Sequence, residues 1–207
     1  KPKVPLAHIQ QALAAIKKQA NPDAHAVQWL IVPRHPQRFD EITQLLTNAG
    51  LAVSRRSQWQ GEPEPADVWL GDSMGEMQLY YGLAQVALLG GSFAPLGGQN
   101  LIEAAACGCP VVMGPHTFNF AQAADSSVEA GAALRVADMA EGLQEAVAIA
   151  TDTPAQARMR DAALHFAQTH RGAAKASAQM IAALLESTEG FVNTSFEASI
   201  FDDDTLG

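Results

Sequence analysis

One stretch of the chain is almost free of charged side chains. Residues 77 to 124 include a single charged one, Glu103, whereas 17% of the whole chain is charged, which would give about eight in 48 positions. A segment so poor in charge is typical of a buried core. Its apolar runs are short and are separated by glycines and by Pro95. The pattern therefore predicts the interior of a sheet and not a transmembrane helix.

A glycine-rich turn lies in the middle of this stretch. Val86 to Leu89 has the composition of a buried strand, four glycines follow at Gly90, Gly91, Gly97 and Gly98, and Asn100 to Glu103 has the composition of a helix start. Such a turn brings backbone N–H groups to a helix N-terminus, which favours a phosphate. Glu103 would accept hydrogen bonds from a ribose. The alternative is a tight strand-to-helix turn in which Glu103 only complements the helix dipole.

Two common phosphate-binding motifs do not fit this turn. No Gly-x-Gly-x-x-Gly opens the helix, and no Gly-Lys-Ser/Thr is present. The sequence therefore gives neither a dinucleotide fingerprint nor a Walker loop.

Composition narrows the class of protein. The chain has 207 residues, is 48% hydrophobic and carries a net charge of −9. These values predict one or two small soluble domains, and the acidic balance argues against nucleic acid as the main partner. Cys107 and Cys109 are too close to pair with each other and, with His116 alone nearby, too few to predict a metal site. No leader peptide is recognisable, a reducing cytosol fits the two thiols, and a first residue other than Met indicates a fragment.

Strand and helix patterns alternate along most of the chain. Leu6, Ile9, Leu13 and Ile16 have helical spacing ahead of the first predicted strand, and helical segments lie between most of the strands that follow. This alternation predicts an α/β fold, a Rossmann-like doubly wound parallel sheet with helices on both faces. The predicted strands lie near residues 28–32, 51–54, 68–70, 86–89, 111–113 and 133–136.

The last part of the chain has a different pattern. Residues 139–186 are mostly helical, with Pro154 in the first turn of a new helix. Residues 187–207 end in Asp202, Asp203 and Asp204 and have the composition of an acidic tail. We therefore predict a domain over residues 1–186 and a loosely held tail over 187–207.

In an open parallel sheet, ligands bind beyond the carboxyl ends of the strands. Three loops follow strands there: residues 33–36, residues 71–76 and the glycine-rich turn. Arg34 offers a planar guanidinium to a phosphate or a base, and Met74 with Gly75 offers an apolar face and backbone groups to a base edge. The alternatives are a surface arginine between two prolines and a capping role for Glu76.

The loops resemble one known family in order and spacing. Together they are similar to the C-terminal half of the Kdo (3-deoxy-D-manno-octulosonic acid) transferases of lipopolysaccharide synthesis, over roughly residues 6 to 186. The motifs that carry the resemblance are Pro33-Arg34-His35-Pro36-Gln37-Arg38-Phe39, Gly71-Asp72-Ser73-Met74-Gly75-Glu76, Gly90-Gly91-Ser92, Gly97-Gly98-Gln99-Asn100-Leu101-Ile102-Glu103 and Gly114-Pro115-His116-Thr117-Phe118-Asn119-Phe120.

The resemblance implies a fold and a ligand. These enzymes are two-domain glycosyltransferases of the GT-B type, whose Rossmann-like C-terminal domain binds the donor CMP-Kdo without a further cofactor or metal. Carried over by motif, the CMP site would comprise Pro33, Arg34, Met74, Gly75, Glu76, Asn100, Leu101, Ile102 and Glu103. Further candidates on the same loops are His35, Ser92, Gly97, Gly98 and His116.

The resemblance also implies what this chain would lack. In the family, a general-base glutamate and the surface for the acceptor, a lipid A precursor, lie on an N-terminal domain, and the full enzyme works at the cytoplasmic face of the bacterial inner membrane. No N-terminal domain is recognisable here, nor is the Thr/His/Gly/Glu-rich turn that begins the C-terminal half, so we expect a soluble fragment that binds donor but does not transfer sugar. The alternatives are a GT-B domain of a UDP-sugar transferase or epimerase, and a non-catalytic nucleotide-binding module.

Overall fold

The structure is a computed structural model that describes residues 11–16 and 27–197, without the side chains of residues 171–178 and 186–197. The chain divides into two compact units, residues 1–167 and residues 168–207.

Among the described residues of the first unit there are six strands, and every pairing between them is parallel. They form two three-stranded sheets, in the orders β1-β3-β2 and β4-β5-β6. The predicted strands and their parallel arrangement are thus confirmed, with the hydrogen bonding divided between two sheets. The strands are β1 (Trp29–Ile31), β2 (Val53–Arg55), β3 (Val68–Leu70), β4 (Ala87–Leu89), β5 (Val111–Met113) and β6 (Ala133–Arg135).

Helices connect most of the strands, as the alternating pattern predicted, whereas β2 and β3 are joined by a 3-10 turn and a loop. Residues 11–16 are helical, while residues 6–10 of the first predicted helix lie outside the described residues. The helices that follow are α1 (Phe39–Asn48), α2 (Met77–Leu83), α3 (Leu101–Ala106), α4 (Ala121–Glu129), α5 (Met139–Thr151) and α6 (Thr153–Glu197). Short 3-10 turns occur at Pro36–Arg38, Arg56–Gln58, Gly90–Ser92 and Phe118–Phe120.

The central strand of the second sheet, β5, is buried on both faces, to which alternate residues of a strand point in turn. Val111 and Met113 belong to one core cluster, with Leu101 and Phe166. Val112, between them, belongs to another cluster formed with α5. This two-sided burial explains why the sequence of β5 is apolar throughout and free of the alternation seen in half-exposed strands.

The first sheet packs against helical residues from two parts of the chain. Ile16, Leu46 and Val68 form its buried cluster. Trp29 of β1 contacts this cluster and also packs against the α5 cluster that covers the second sheet. Trp29 therefore joins the cores of the two sheets within the first unit.

The end of α3 is a tight turn over the sequence Cys-Gly-Cys-Pro. Gly108 has a φ of +69°, and its N–H donates to the Ala105 carbonyl at 2.9 Å. Glycine suits this position because other residues rarely adopt a positive φ. Cys107 and Cys109 are free thiols, and burial raises the pKa of Cys109 to about 12.

Helix α6 begins as predicted, with Pro154 in its first turn, and continues to Glu197. The helix continues without a break across residues 186 and 187, the predicted boundary between domain and tail. The division into domain and tail therefore stays a prediction. Asp202 to Asp204 lie outside the described residues. Within the part of the chain that the structure describes, no helix combines the length and apolarity needed to cross a membrane.

Candidate functional site

The loops at the carboxyl ends of the strands fall into two groups. The first loop group comprises residues 32–38, 56–59 and 71–76, which follow β1, β2 and β3. The second loop group comprises residues 90–100 and 114–120, which follow β4 and β5. Hydrogen bonds join residues 56–59 to residues 71–76 in the first group and residues 90–100 to residues 114–120 in the second, whereas none of the bonds between these described loops runs from one group to the other. The geometry of each group is therefore set by its own sheet.

Asp72 is the centre of the first loop group. Its carboxylate accepts hydrogen bonds from the Ser57 N–H at 2.8 Å, the Ser57 hydroxyl at 2.6 Å and Arg55 Nε at 2.7 Å. Arg55 also forms a salt bridge with Asp40 at 2.7 Å. Burial alone would raise the pKa of Asp72, but the bonds from Ser57 and Arg55 outweigh it and hold the pKa below its ordinary value. Asp72 therefore remains ionised and fastens the loop after β2 to the loop after β3.

Glu76 uses both of its carboxylate oxygens within the protein. One oxygen forms a salt bridge with Arg56 Nη2 at 2.7 Å. The other accepts a short hydrogen bond from Ser73 Oγ and a longer one from Tyr80 at 3.3 Å. The bond from Ser73, assisted by the charge of Arg56, lowers the pKa of Glu76 despite partial desolvation. Glu76 is the N-cap residue of α2 but makes no side-chain hydrogen bond to the helix N-terminus, so the structure shows the capping position without the capping bond.

The outermost residues of this group are open to solvent. The Met74 side chain is 68% exposed, and Gly75 next to it has a φ of +81°. Arg34 and His35 are also exposed, whereas Pro33 is half-buried. Among the described residues, Arg34 has no salt-bridge partner. Its guanidinium is therefore available to an anion.

Ser92 holds the second loop group together. It is 0% exposed, donates from Oγ to the Leu89 carbonyl at 2.6 Å and accepts there from the Gly114 N–H at 2.7 Å. The Ser92 carbonyl accepts from the His116 N–H at 2.9 Å. Full burial means that Ser92 shapes the loops and does not itself face a ligand. His116 is half-buried beside it.

The two later glycines of the turn are needed for close packing. Gly97 and Gly98 are buried and have φ values of +87° and +83°. A Cβ atom on Gly97 would lie 2.1 Å from Asn119 Nδ2 and 2.8 Å from the Phe118 ring. The Gly97 carbonyl also accepts from the Asn119 N–H at 3.2 Å. These glycines thus let the loop after β4 lie directly against the loop after β5.

The start of α3 presents Glu103 to solvent. Asn100 is the N-cap, and its Oδ1 accepts from the Ile102 N–H at 3.1 Å. Its Nδ2 donates to Glu103 Oε1 at 3.0 Å, which fixes the carboxylate at the helix start. Leu101 is only 2% exposed and Ile102 is half-buried, so their side chains belong to the core. Asn100 and Glu103 are therefore the side chains of this segment that can meet a ligand.

The sequence predicted most of these loops but not five of the residues that hold them, which are Arg55, Arg56, Ser57, Trp59 and Tyr80. The rule that placed the other loops, that a segment after a strand belongs to the site, also applies to residues 56–59.

Within the described residues, no three His, Cys, Asp or Glu side chains cluster as metal ligands would.

Three proteins show what the chain is similar to. It is 52% identical over 147 residues to the 3-deoxy-D-manno-octulosonic acid transferase of Bordetella pertussis, a match that covers 70% of this chain and 34% of that protein. It is 37% identical over 158 residues to the Haemophilus influenzae protein of the same name, covering 76% of this chain and 37% of that protein. The chain thus spans about a third of the length of these relatives. No model of a protein family matches it.

A solved structure agrees with the sequence matches. The crystal structure of the C-terminal CMP-Kdo binding domain of WaaA from Acinetobacter baumannii is 34% identical in sequence and superposes with a TM-score of 0.71. The match covers 80% of this chain and 86% of that domain. The predicted fold class, the Rossmann-like C-terminal half of a GT-B glycosyltransferase, is thereby confirmed.

Proposed function

Because the chain belongs to the family of the 3-deoxy-D-manno-octulosonic acid transferases, which are glycosyltransferases, we propose that it is the donor-binding part of such an enzyme and binds CMP-Kdo. The observation that carries the proposal is the match over 86% of a domain described as CMP-Kdo binding. The open loops at the carboxyl ends of the strands support it, because ligands of parallel sheets bind there.

The donor site is proposed to use both loop groups. From the first group, Arg34 would neutralise the phosphate, and Met74 with the Gly75 backbone would contact the cytosine. Next to the second group, at the start of α3, Glu103 would accept hydrogen bonds from the ribose, with Asn100 holding its carboxylate. Among the further candidates, Ser92, Gly97 and Gly98 would shape the loop after β4. His35 and His116 stay candidates at the rim of the donor site.

The reaction proposed for the whole enzyme is transfer of Kdo to a lipid A precursor in lipopolysaccharide biosynthesis. A base outside the part matched here would remove the proton from an acceptor hydroxyl, whose oxygen then attacks the anomeric carbon of Kdo. As that bond forms, the bond to the CMP phosphate breaks, and Arg34 would stabilise the charge that develops on the leaving phosphate. The acceptor and donor would place the whole enzyme at the cytoplasmic surface of the bacterial inner membrane.

Titration calorimetry with CMP and with UMP tests the proposed ligand. We expect the 207-residue chain to bind CMP and to prefer it to UMP, because the loop with Met74 and Gly75 would contact the amino group of cytosine. Equal affinity for the two nucleotides would favour a UDP-sugar enzyme, and no binding of either would contradict a nucleotide site.

Replacing Glu103 by glutamine tests the ribose contact. We expect E103Q to weaken CMP binding by about 1–3 kcal/mol, the usual contribution of a hydrogen bond to a charged group. The fold should lose little stability, because Glu103 is exposed. Calorimetry run beside thermal melts separates the two effects.

Glu141 provides the matched control for this variant. It is an exposed glutamate in the first turn of α5, and it accepts from the Ala137 N–H at 2.7 Å. E141Q should cost some stability and leave CMP binding unchanged. If E103Q behaves in the same way, Glu103 only complements the helix and the ribose contact is wrong.

A further inference from the structure

The loop that would contact the base has few anchors of its own. Met74 is 68% exposed, and Gly75 has a backbone conformation that other residues rarely adopt. Such a segment keeps one conformation only if both of its ends are fixed. The structure fixes both ends, Asp72 and Glu76, from the same neighbouring segment after β2.

At the first end, Asp72 is bound by Arg55 and Ser57 through three hydrogen bonds of 2.6–2.8 Å. The carboxylate of Asp72 is 1% exposed, so these contacts are shielded from water. Charged groups paired away from water interact more strongly than exposed pairs do. This end of the loop is therefore firmly held.

At the second end, Arg56 forms a 2.7 Å salt bridge with Glu76. The guanidinium also lies 5.5 Å from the centre of the Trp59 ring. Trp59 is itself fixed, since its Nε1 donates to Ser54 Oγ at 2.8 Å and its ring meets Trp69 edge to face at 5.6 Å. Arg56 thus reaches Glu76 from a rigid support at the end of β2.

Glu76 in turn has little capacity left for a nucleotide. One oxygen binds Arg56, and the other binds Ser73 and Tyr80. A carboxylate engaged in this way is better suited to hold Ser73 and the following two residues in place than to recognise a ligand directly.

We propose that Arg56 is a positioning residue for donor recognition: by holding Glu76, it sets the conformation of residues 73–75 and so the preference for cytosine. The inference rests on the proposed function, because it assigns a role at the same donor site. It also moves Glu76 from contact with the nucleotide to support of the loop.

A double-mutant cycle on CMP binding tests the inference. The 207-residue chain and its R56M, E76Q and R56M/E76Q variants are titrated with CMP and with UMP. We expect R56M to weaken CMP binding about ten-fold, as loss of one charged pair would, and to reduce the preference over UMP. When Glu76 is already replaced, R56M should cause little further loss of CMP affinity, because Arg56 acts through Glu76.

Two further variants separate positioning from general stability. R56K keeps the charge without the planar fork and should bind CMP with an affinity between wild type and R56M. R158M makes the same substitution at an exposed position on α6 and should bind CMP as wild type does. Amide hydrogen exchange of residues 73–76 should accelerate in R56M and stay unchanged in R158M.

Wild-type affinity in R56M, or effects of R56M and E76Q that simply add, would overturn the positioning role while leaving the proposed function intact. A wild-type chain that binds neither nucleotide would overturn the proposed function and this inference together.

Discussion

Replacing Gly114 by alanine is expected to lower the free energy of unfolding by about 2–4 kcal/mol, the sum of overpacking and of a strained buried hydrogen bond. A Cβ atom at this position would lie 2.7 Å from the Ser92 carbonyl oxygen and 3.0 Å from Phe93 Cα. These are backbone atoms, which cannot rotate away as a side chain can. If the backbone shifts, the hydrogen bond from the Gly114 N–H to Ser92 Oγ is strained as well. Thermal melts should show a midpoint roughly 5–15 °C lower.

Gly90 gives the matched control, because it lies in the same loop group. A Cβ atom there would have nothing within 4 Å, and its φ is not in the left-handed region. G90A should therefore melt close to wild type. If G114A melts no lower than G90A, the loops after β4 and β5 are not packed together as the structure has them.

We expect the 207-residue chain by itself to transfer no Kdo from CMP-Kdo to a lipid A precursor. The chain spans 34% and 37% of the length of two relatives, and the proposed base and acceptor surface lie outside the matched part. Positioning two reactants contributes about 7–11 kcal/mol to lowering a barrier, and a general base about 10²–10⁴-fold in rate. Binding of the donor alone supplies neither. A radiolabelled-Kdo transfer assay, with an intact relative as the positive control, measures this directly.

Addition of the N-terminal part of a relative, joined to the chain or supplied separately, should restore turnover if the two parts close around the donor. Kdo transfer by the purified chain alone would contradict this division of labour. The base would then have to be sought among the titratable side chains of the loops, which are Asp72, Glu76, His35 and His116.

The family resemblance and the positions of the strands were accessible from sequence because local patterns encode them. The apolar run of β5 predicted a strand, and its two faces contribute to different core clusters. Glycines at Gly97 and Gly98 predicted a close approach of backbone, and both adopt a positive φ. Asn100 followed by an apolar turn predicted a helix start, and Asn100 is the N-cap.

The sequence was less informative about which side chains of a loop face outwards. Leu101, Ile102 and Ser92 all lie in motifs shared with the family. The structure nevertheless buries the side chains of Leu101 and Ser92 in the interior. Orientation of this kind depends on what the rest of the chain packs against the loop, which no local pattern contains. The pairing of Gly114 with Ser92, 22 residues apart, is decided in the same way.

By itself, the sequence determined the α/β class, the order of the elements and the loops in which to look for a site, because hydrophobic periodicity and turn residues act over short distances. Only the tertiary structure decided that Arg56 meets Glu76 and that Asp72 is held by Ser57, because parallel pairing of β2 with β3 brings together segments 15 to 20 residues apart. Such contacts depend on strand order and register, and these are fixed by the packing of the whole sheet.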